Sequence, residues 1–392
     1  MGPLGGMRVL DITHVMAGSF CGMVLADMGA DVVKVEKVDG GDAMRGPARP
    51  GFSPFGAVNR NKRSLAIDLA APDGAAAVRR MARTADVVVE NYRHGALPKL
   101  GLGYRDLAAG NPALIYCSIS GFGATGPYAT RGGFDLVAQG MSGIMSFTGE
   151  PDRPPVKVGV PIADLNAGLF GAFGVVSAYV HRQRTGEGQY VDTSLFEGAL
   201  AYTVWESALY FATGEVAGPI GSSHRLAAPY EALRTADGWL TVGAANQANW
   251  RRLCEVLGRP DLLDDERFAR PLDRLANRRD LAVAIEKTLA TATTSEWVAR
   301  LEEGAVPAGP IYDVADAFAD PHVAAREMIV DIADGDSSTR HLGVPVKLSR
   351  TPGRVVRNAP RLGAHTDEVL GEYGFSTDEI QALHDAGVIR RG

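Results

Sequence analysis

Five short, nearly continuous apolar runs recur through the first 120 residues: MRVLDI, DVVKVE, RSLAIDL, ADVVVEN and ALIYCSIS. Strands this apolar have both faces buried, and a parallel sheet with helices on either side covers both at once. The intervening stretches read as helices. One spans Ala17 to Met28, and another, PDGAAAVRRMART, carries Pro72 near its start, where a missing amide hydrogen costs little. The N-terminal half is therefore expected to be a doubly wound α/β structure.

Beyond these runs the pattern loosens. Gly121 to Asp164 is rich in glycine and proline yet keeps aromatic and aliphatic residues, as an ordered loop lining a site would. A helix from Asn166 to Thr185, the strand QYVDTSL and a helix from Phe196 to Thr213 follow. The polar connection VAGPIGSSHRLA leads to a strand pair around Tyr230 to Val242 with the turn ADGW. Helical signals run from Asn249 to Leu301, and Pro307 to Pro310 breaks them. Val344 to Arg391 reads as a strand, a loop with Pro360 and Gly363, and a closing helix.

Charge and cysteine content narrow the function classes. A net charge of -6 with no long Lys/Arg block gives nucleic acid nothing to bind, so an anionic ligand must be met locally. The three cysteines are far apart and odd in number, which fits small core residues of a reduced cytoplasmic protein better than disulfides or zinc. No signal peptide is read at the N-terminus. The apolar helix candidate Ala167 to Val180 is too short and glycine-rich to span a bilayer, so a buried helix is expected and no membrane partner.

The first strand–helix turn, DITHVMAGSFCG, has Gly18 and Gly22 four residues apart, not the G-x-G-x-x-G of a dinucleotide site. Glu36 alone does not make one. What remains is a helix N-terminus at the carboxyl end of a strand, where amides favour an anion. His14 is a candidate ligand contact, His94 a weaker one. Lys37, Arg45, Arg60, Lys62, Arg63, Arg93, Lys99 and Arg131 singly read as surface charges; together they suit a polyphosphate. Asp164, in VGVPIADLNAGLFGAFG, reads first as a helix N-cap and second as a covalent nucleophile with a low pKa.

Ordered blocks along the chain carry a resemblance: VLDITHVMAGSF, GADVVKVEKVDGGD, NRNKRSLAIDL, ADVVVENYRHGALPKLGLGY, GFGATGPY, GFDLVAQGMSG, IADLNAGLFGAFG, RTGEGQYVDTSL and LGAHTDEVL. In order and spacing they resemble the family III CoA-transferases, which include formyl-CoA and carnitine CoA-transferases and the α-methylacyl-CoA racemases. The resemblance implies a Rossmann-like large domain with a parallel sheet plus a smaller α+β domain, in an interlocked homodimer. Residues 1–205 are then the first part of the large CoA-binding domain and 206–225 a linker. The small domain spans 226–325, and 326–392 form a return linker and the rest of the large domain. The nucleophile falls on Asp164. CoA contacts fall on Met16, Ala17, Lys37, Leu69, Asn91, Tyr92, Arg93, Lys99, Leu100, Phe134 and Asp135, with His14 and Arg131 beside them. CoA or acyl-CoA is a substrate, and no metal is expected.

Departures from the family sharpen the expected reaction. Met16 stands where formyl-CoA transferase has a glutamine, which disfavours formate and oxalate. A loop lysine is replaced by glycine, with Arg131 one residue away. The long glycine-rich lid gives way to GSSHRLAAPYEAL, which resembles the branch acting on dicarboxylic acids such as succinyl-CoA. His224 and Arg225 are candidates for the second carboxylate, and amides around Gly140 to Gly143 for an oxyanion. Racemases pair an aspartate with the histidine of G-H-D; here the motif is Gly133-Phe134-Asp135, and a phenyl ring transfers no proton. Transfer of CoA between an acyl-CoA and a carboxylic acid is the expected function; a 2-methylacyl-CoA racemase and a non-catalytic CoA-binding protein are the alternatives.

Overall fold

The computed structural model describes residues 2–46, 49, 52–335 and 337–392. Each apolar run forms a strand: β1 (Arg8–Ile12), β2 (Asp31–Glu36), β3 (Arg63–Ile67), β4 (Val87–Glu90) and β5 (Ile115–Ser120). They are followed by β6 (Tyr190–Ser194), β7 (Tyr230–Arg234), β8 (Trp239–Gly243), β9 (Ala308–Pro310), β10 (Ile329–Asp334), β11 (Ser337–Leu342) and β12 (Ile389–Arg390). The chain divides into two compact units: Met1–Met145, Lys157–Gly214 and His322–Gly392 make one, and Ser146–Val156 with Glu215–Pro321 make the other.

The first unit is built on a seven-stranded sheet in the order β12-β3-β2-β1-β4-β5-β6. Strands β1 to β6 are parallel; β12 closes one edge antiparallel to β3, with Ile389 opposite Ile67. The expected fold is thus present, a Rossmann-like sheet covered on both faces. Leu10, Val33, Leu65 and Val88 on the strands are fully buried with Val78 and Met81 of the helix Pro72–Ala82. Burial of each such side chain contributes about 1.5–3 kcal/mol.

Charges also lie inside this unit. Lys34 on β2 and Lys62 just before β3 are fully buried, as is Asp11 on β1. Gly22 leaves them room: a Cβ there would stand 2.4 Å from an Asp11 carboxylate oxygen and 3.2 Å from Lys62 Nζ. Gly22 of the first helix therefore serves packing over a buried ion cluster.

The second unit carries the three-stranded antiparallel sheet β7-β8-β9, packed with helices around Trp250, Phe268 and Trp297. Its most buried charge is Arg274. The guanidinium donates to the carbonyls of Ala228 (3.1 Å), Ala245 and Phe268 (3.0 Å each) and to Gln247 Oε1 (3.0 Å).

Several expectations need correction. Within the stretch read as a loop, Asp135–Met141 and Ile144–Phe147 are helical. The next helix begins at Ile162 rather than Asn166, and its 24 residues run to Thr185, longer than the apolar stretch suggested. The segment read as one helix from Phe196 to Thr213 is two, Leu195–Leu200 and Val204–Thr213. No strand forms at Val344; the hairpin β10–β11 precedes it, and its mostly exposed, polar strands lack the apolar alternation that announces a strand.

Candidate active site

In this strand order the chain leaves β1 and β4 in opposite senses, opening a crevice outside their carboxyl ends. A cavity of about 470 Å³ occupies that crevice. His14, Val15, Met16 and Ala17 line it after β1, and Asn91, Tyr92, Arg93 and His94 after β4. Arg131, Gly132, Gly133 and Phe134 form another wall, and Asp164 and Leu195 also line the cavity. A neighbouring depression of about 280 Å³ holds Lys37 and shares His14 and Tyr92.

Leu69, Lys99 and Leu100 lie outside both cavities. Leu69 and Leu100 pack on the core, and Lys99 ends the short helix Ala96–Lys99. His224 and Arg225 belong to the second unit, where His224 packs edge-on to Tyr230 and accepts from Leu226 N–H (3.1 Å), while Arg225 donates to Gly218 O (2.7 Å).

The turn after β1 is held in an unusual conformation. Val15 has φ +61°, a region β-branched residues rarely enter, and such strain persists only where neighbours over-determine it. The Asn91 side chain grips His14 on both sides, accepting from its N–H and donating to its C=O at 2.8 Å each. The Asp42 carboxylate accepts from Val15 N–H at 3.0 and 3.2 Å. Behind it, Lys34 donates to Thr13 O (2.8 Å) and lies 3.5 Å from both Asp42 and Asp11. Lys62 pairs with Asp11 at 2.7 Å. Burial alone would raise the Asp11 carboxyl, but Lys34 and Lys62 outweigh it and hold it below its usual range. Burial also lowers Lys62 to about 8. Burial likewise lowers His14, whose ring meets Tyr92 edge-on at 4.9 Å, so the imidazole is neutral at pH 7.

Asp164 stands in the first turn of Ile162–Thr185 but does not cap it. Pro161 occupies the N-cap position, and the free amide of Ala163 donates to Asp135 Oδ1 at 2.9 Å. Asp135 is held by Gln139 Nε2 (2.7 Å), and Gln139 accepts from Val158 N–H (2.9 Å). Asp135 thus performs the capping that local sequence assigns to Asp164. Among the described residues the Asp164 carboxylate has no hydrogen-bond donor and no ion-pair partner. The expectation of a low pKa is corrected: burial, and then the negative charge of Asp135, push Asp164 up to about 7. A carboxylate so poorly solvated is a stronger nucleophile than one in water.

Gly140 is also corrected as an oxyanion donor. It lies inside the helix Asp135–Met141, where its amide is spent on the helix, and Ser142 N–H donates to Ala138 O (2.9 Å). The residues missed from sequence are those behind the wall, Asp42, Lys34 and Gln139. Asp42 follows two glycines in VDGGD, the one local hint that its backbone is specially placed.

A doubly wound sheet with an unpaired, half-buried carboxylate in its switch-point crevice defines an enzyme that handles an anionic or acyl ligand by its own side chains. Residues 4–366 match the model of CoA-transferase family III, and the chain belongs to that family. It is 42% identical over 382 residues to a succinate–glutarate CoA-transferase of Agrobacterium fabrum, covering 94% of this chain and 95% of that one. It is 41% identical to a succinyl-CoA:mesaconate CoA-transferase of Haloarcula hispanica, covering 96% and 98%. Among solved structures, a CAIB/BAIF family protein from Brucella suis superposes with a TM-score of 0.86 at 39% identity, covering 95% of this chain and 99% of that one.

Proposed function

We propose that this transferase moves CoA from a dicarboxylyl-CoA such as succinyl-CoA to a second dicarboxylic acid, through a thioester on Asp164. The observation that carries this reading is Asp164 itself: a desolvated carboxylate with no cation partner among the described residues, on the wall of the switch-point cavity. The relatives named for succinate, glutarate and mesaconate support the dicarboxylic substrate class.

In the proposed sequence the Asp164 carboxylate attacks the thioester carbonyl, giving a mixed anhydride and CoA thiolate. The thiolate then attacks the aspartyl carbonyl, forming aspartyl-CoA and releasing the donor acid as a carboxylate. The acceptor carboxylate attacks aspartyl-CoA and the same two steps run in reverse, restoring Asp164. No net proton moves, so the neutral His14 and the phenyl ring of Phe134 serve as walls. The first amides of the helix Ala17–Asp27 lack intrahelical acceptors, and in this sequence of steps they meet the oxyanion beside Met16 and Ala17. Lys37, Arg93 and Asn91 line the walls where CoA would lie.

The test is covalent. Incubation with succinyl-CoA and peptide mass mapping should find CoA mass on Asp164, and Asp164→Asn should lose turnover while binding CoA nearly as well as the parent. Wild-type transfer rates in that variant would sink the proposal.

The same reading includes a homodimer. The Ile162–Thr185 helix leaves Leu169, Phe170, Phe173 and Val180 exposed on one side, and Trp205 and Phe211 of Val204–Thr213 are 59% and 83% exposed. Apolar faces of this kind mark a protein interface, and light scattering that reads a monomer would overturn it. The three cysteines are free and buried, which supports a reducing, cytoplasmic setting.

A further inference from the structure

The acyl groups proposed above carry a second carboxylate that stays ionised, and bringing it into a cavity costs several kcal/mol unless a cation meets it. Two arginines line the Asp164 cavity, Arg93 and Arg131. Arg131 has a prepared seat. Its guanidinium stands 5.3 Å from the ring centroids of both Phe122 and Tyr128, and the Arg131 backbone amide donates to Tyr128 O at 2.8 Å. A guanidinium held by ring faces keeps its N–H edge free for a bidentate carboxylate. Among the described residues no carboxylate or carbonyl takes that edge, and no ring holds Arg93.

The segment that carries Arg131 is fixed with respect to Asp164. A Cβ on Gly133 would come within 2.6 Å of Gly121 Cα, so the two backbones pack directly against each other. Two residues on, Asp135 binds the amide that precedes Asp164. The four-residue span from Arg131 to Asp135 reaches at most about 14 Å. Resting on the transfer reading, we propose that Arg131 binds the distal carboxylate of the dicarboxylic acyl group and thereby selects diacids over monoacids. This departs from a CoA contact, the role expected for it from resemblance.

Acceptor kcat/KM in a ping-pong reaction reports the acceptor half alone. It is measured for glutarate and for pentanoate, of equal chain length, in wild type, Arg131→Met and Arg131→Lys. Loss of a bidentate charged contact should lower glutarate kcat/KM by about 30- to 300-fold in Arg131→Met and by about tenfold in Arg131→Lys. Pentanoate should be unchanged or better used. Equal losses for both acids with a raised KM for the CoA donor assign Arg131 to CoA and overturn the inference, as does an unchanged glutarate rate. Calorimetric titration of glutarate and of CoA into each variant separates the two readings. Weakened glutarate binding with intact CoA binding upholds Arg131 even if no acid is turned over, a result that sinks only the transfer reading; equal glutarate binding overturns Arg131 whatever the turnover.

Discussion

In the proposed mechanism Asp164 links rate and stability through one proton. Its carboxyl is raised from 3.8 to about 7 by burial and then by Asp135, so the reactive carboxylate forms only as the pH passes neutrality. In the free enzyme kcat/KM should rise between pH 5.5 and 8 with a midpoint near 7, and Asp135→Asn should move that midpoint to lower pH. Stability runs the opposite way. The folded state binds this proton more tightly than the unfolded chain, so stability falls as the pH rises from about 4 to about 7 and the loss is complete above. Asp164→Asn removes the ion and should raise Tm at pH 8 while leaving it nearly unchanged at pH 4. Thermal melts with equal shifts at both values would contradict the assignment. The ion that the proposed mechanism needs is thus the one that costs stability.

At the scale of elements, the turn after β1 depends on a charge two elements away. Asp42→Ala removes the acceptor of Val15 N–H and leaves φ +61° without its clamp, while Lys34 keeps Asp11. A charge-assisted bond of about 1.5–3 kcal/mol is lost, which predicts kcat/KM lower by about 10- to 100-fold with folding retained by circular dichroism. Wild-type kcat/KM would remove Asp42 from the positioning of the turn. Strands β1 to β5 were legible because their two faces are both apolar; the crevice was not, since it follows from a strand order that no single segment carries. Lys34 and Lys62 were not, because in DVVKVE and NRNKRS a lysine reads as solvated until a carboxylate from another strand is seen beside it. Asp164 was legible as a residue but not in its state: the helix starts earlier than expected, and its free Ala163 amide is capped by Asp135, from a helix 27 residues earlier that sequence presented as loop.

For the molecule as a whole, each unit has its own interior and its own weak point. In the second unit Arg274 ties four oxygens from three segments, all on neutral groups. Arg274→Met keeps the bulk but leaves those oxygens buried and unmet, a loss of about 3–5 kcal/mol. Calorimetry should then show an early transition for this unit ahead of the first, and a single unshifted transition would refute it. The first unit has a different exposure, one of timing. Strand β3 finds its outer neighbour only in Ile389–Arg390, after the second unit and the β10–β11 hairpin have been made. On the ribosome, a growing chain therefore carries β3 with an open edge through nearly the whole of its synthesis, a span in which any other extended segment can pair there first.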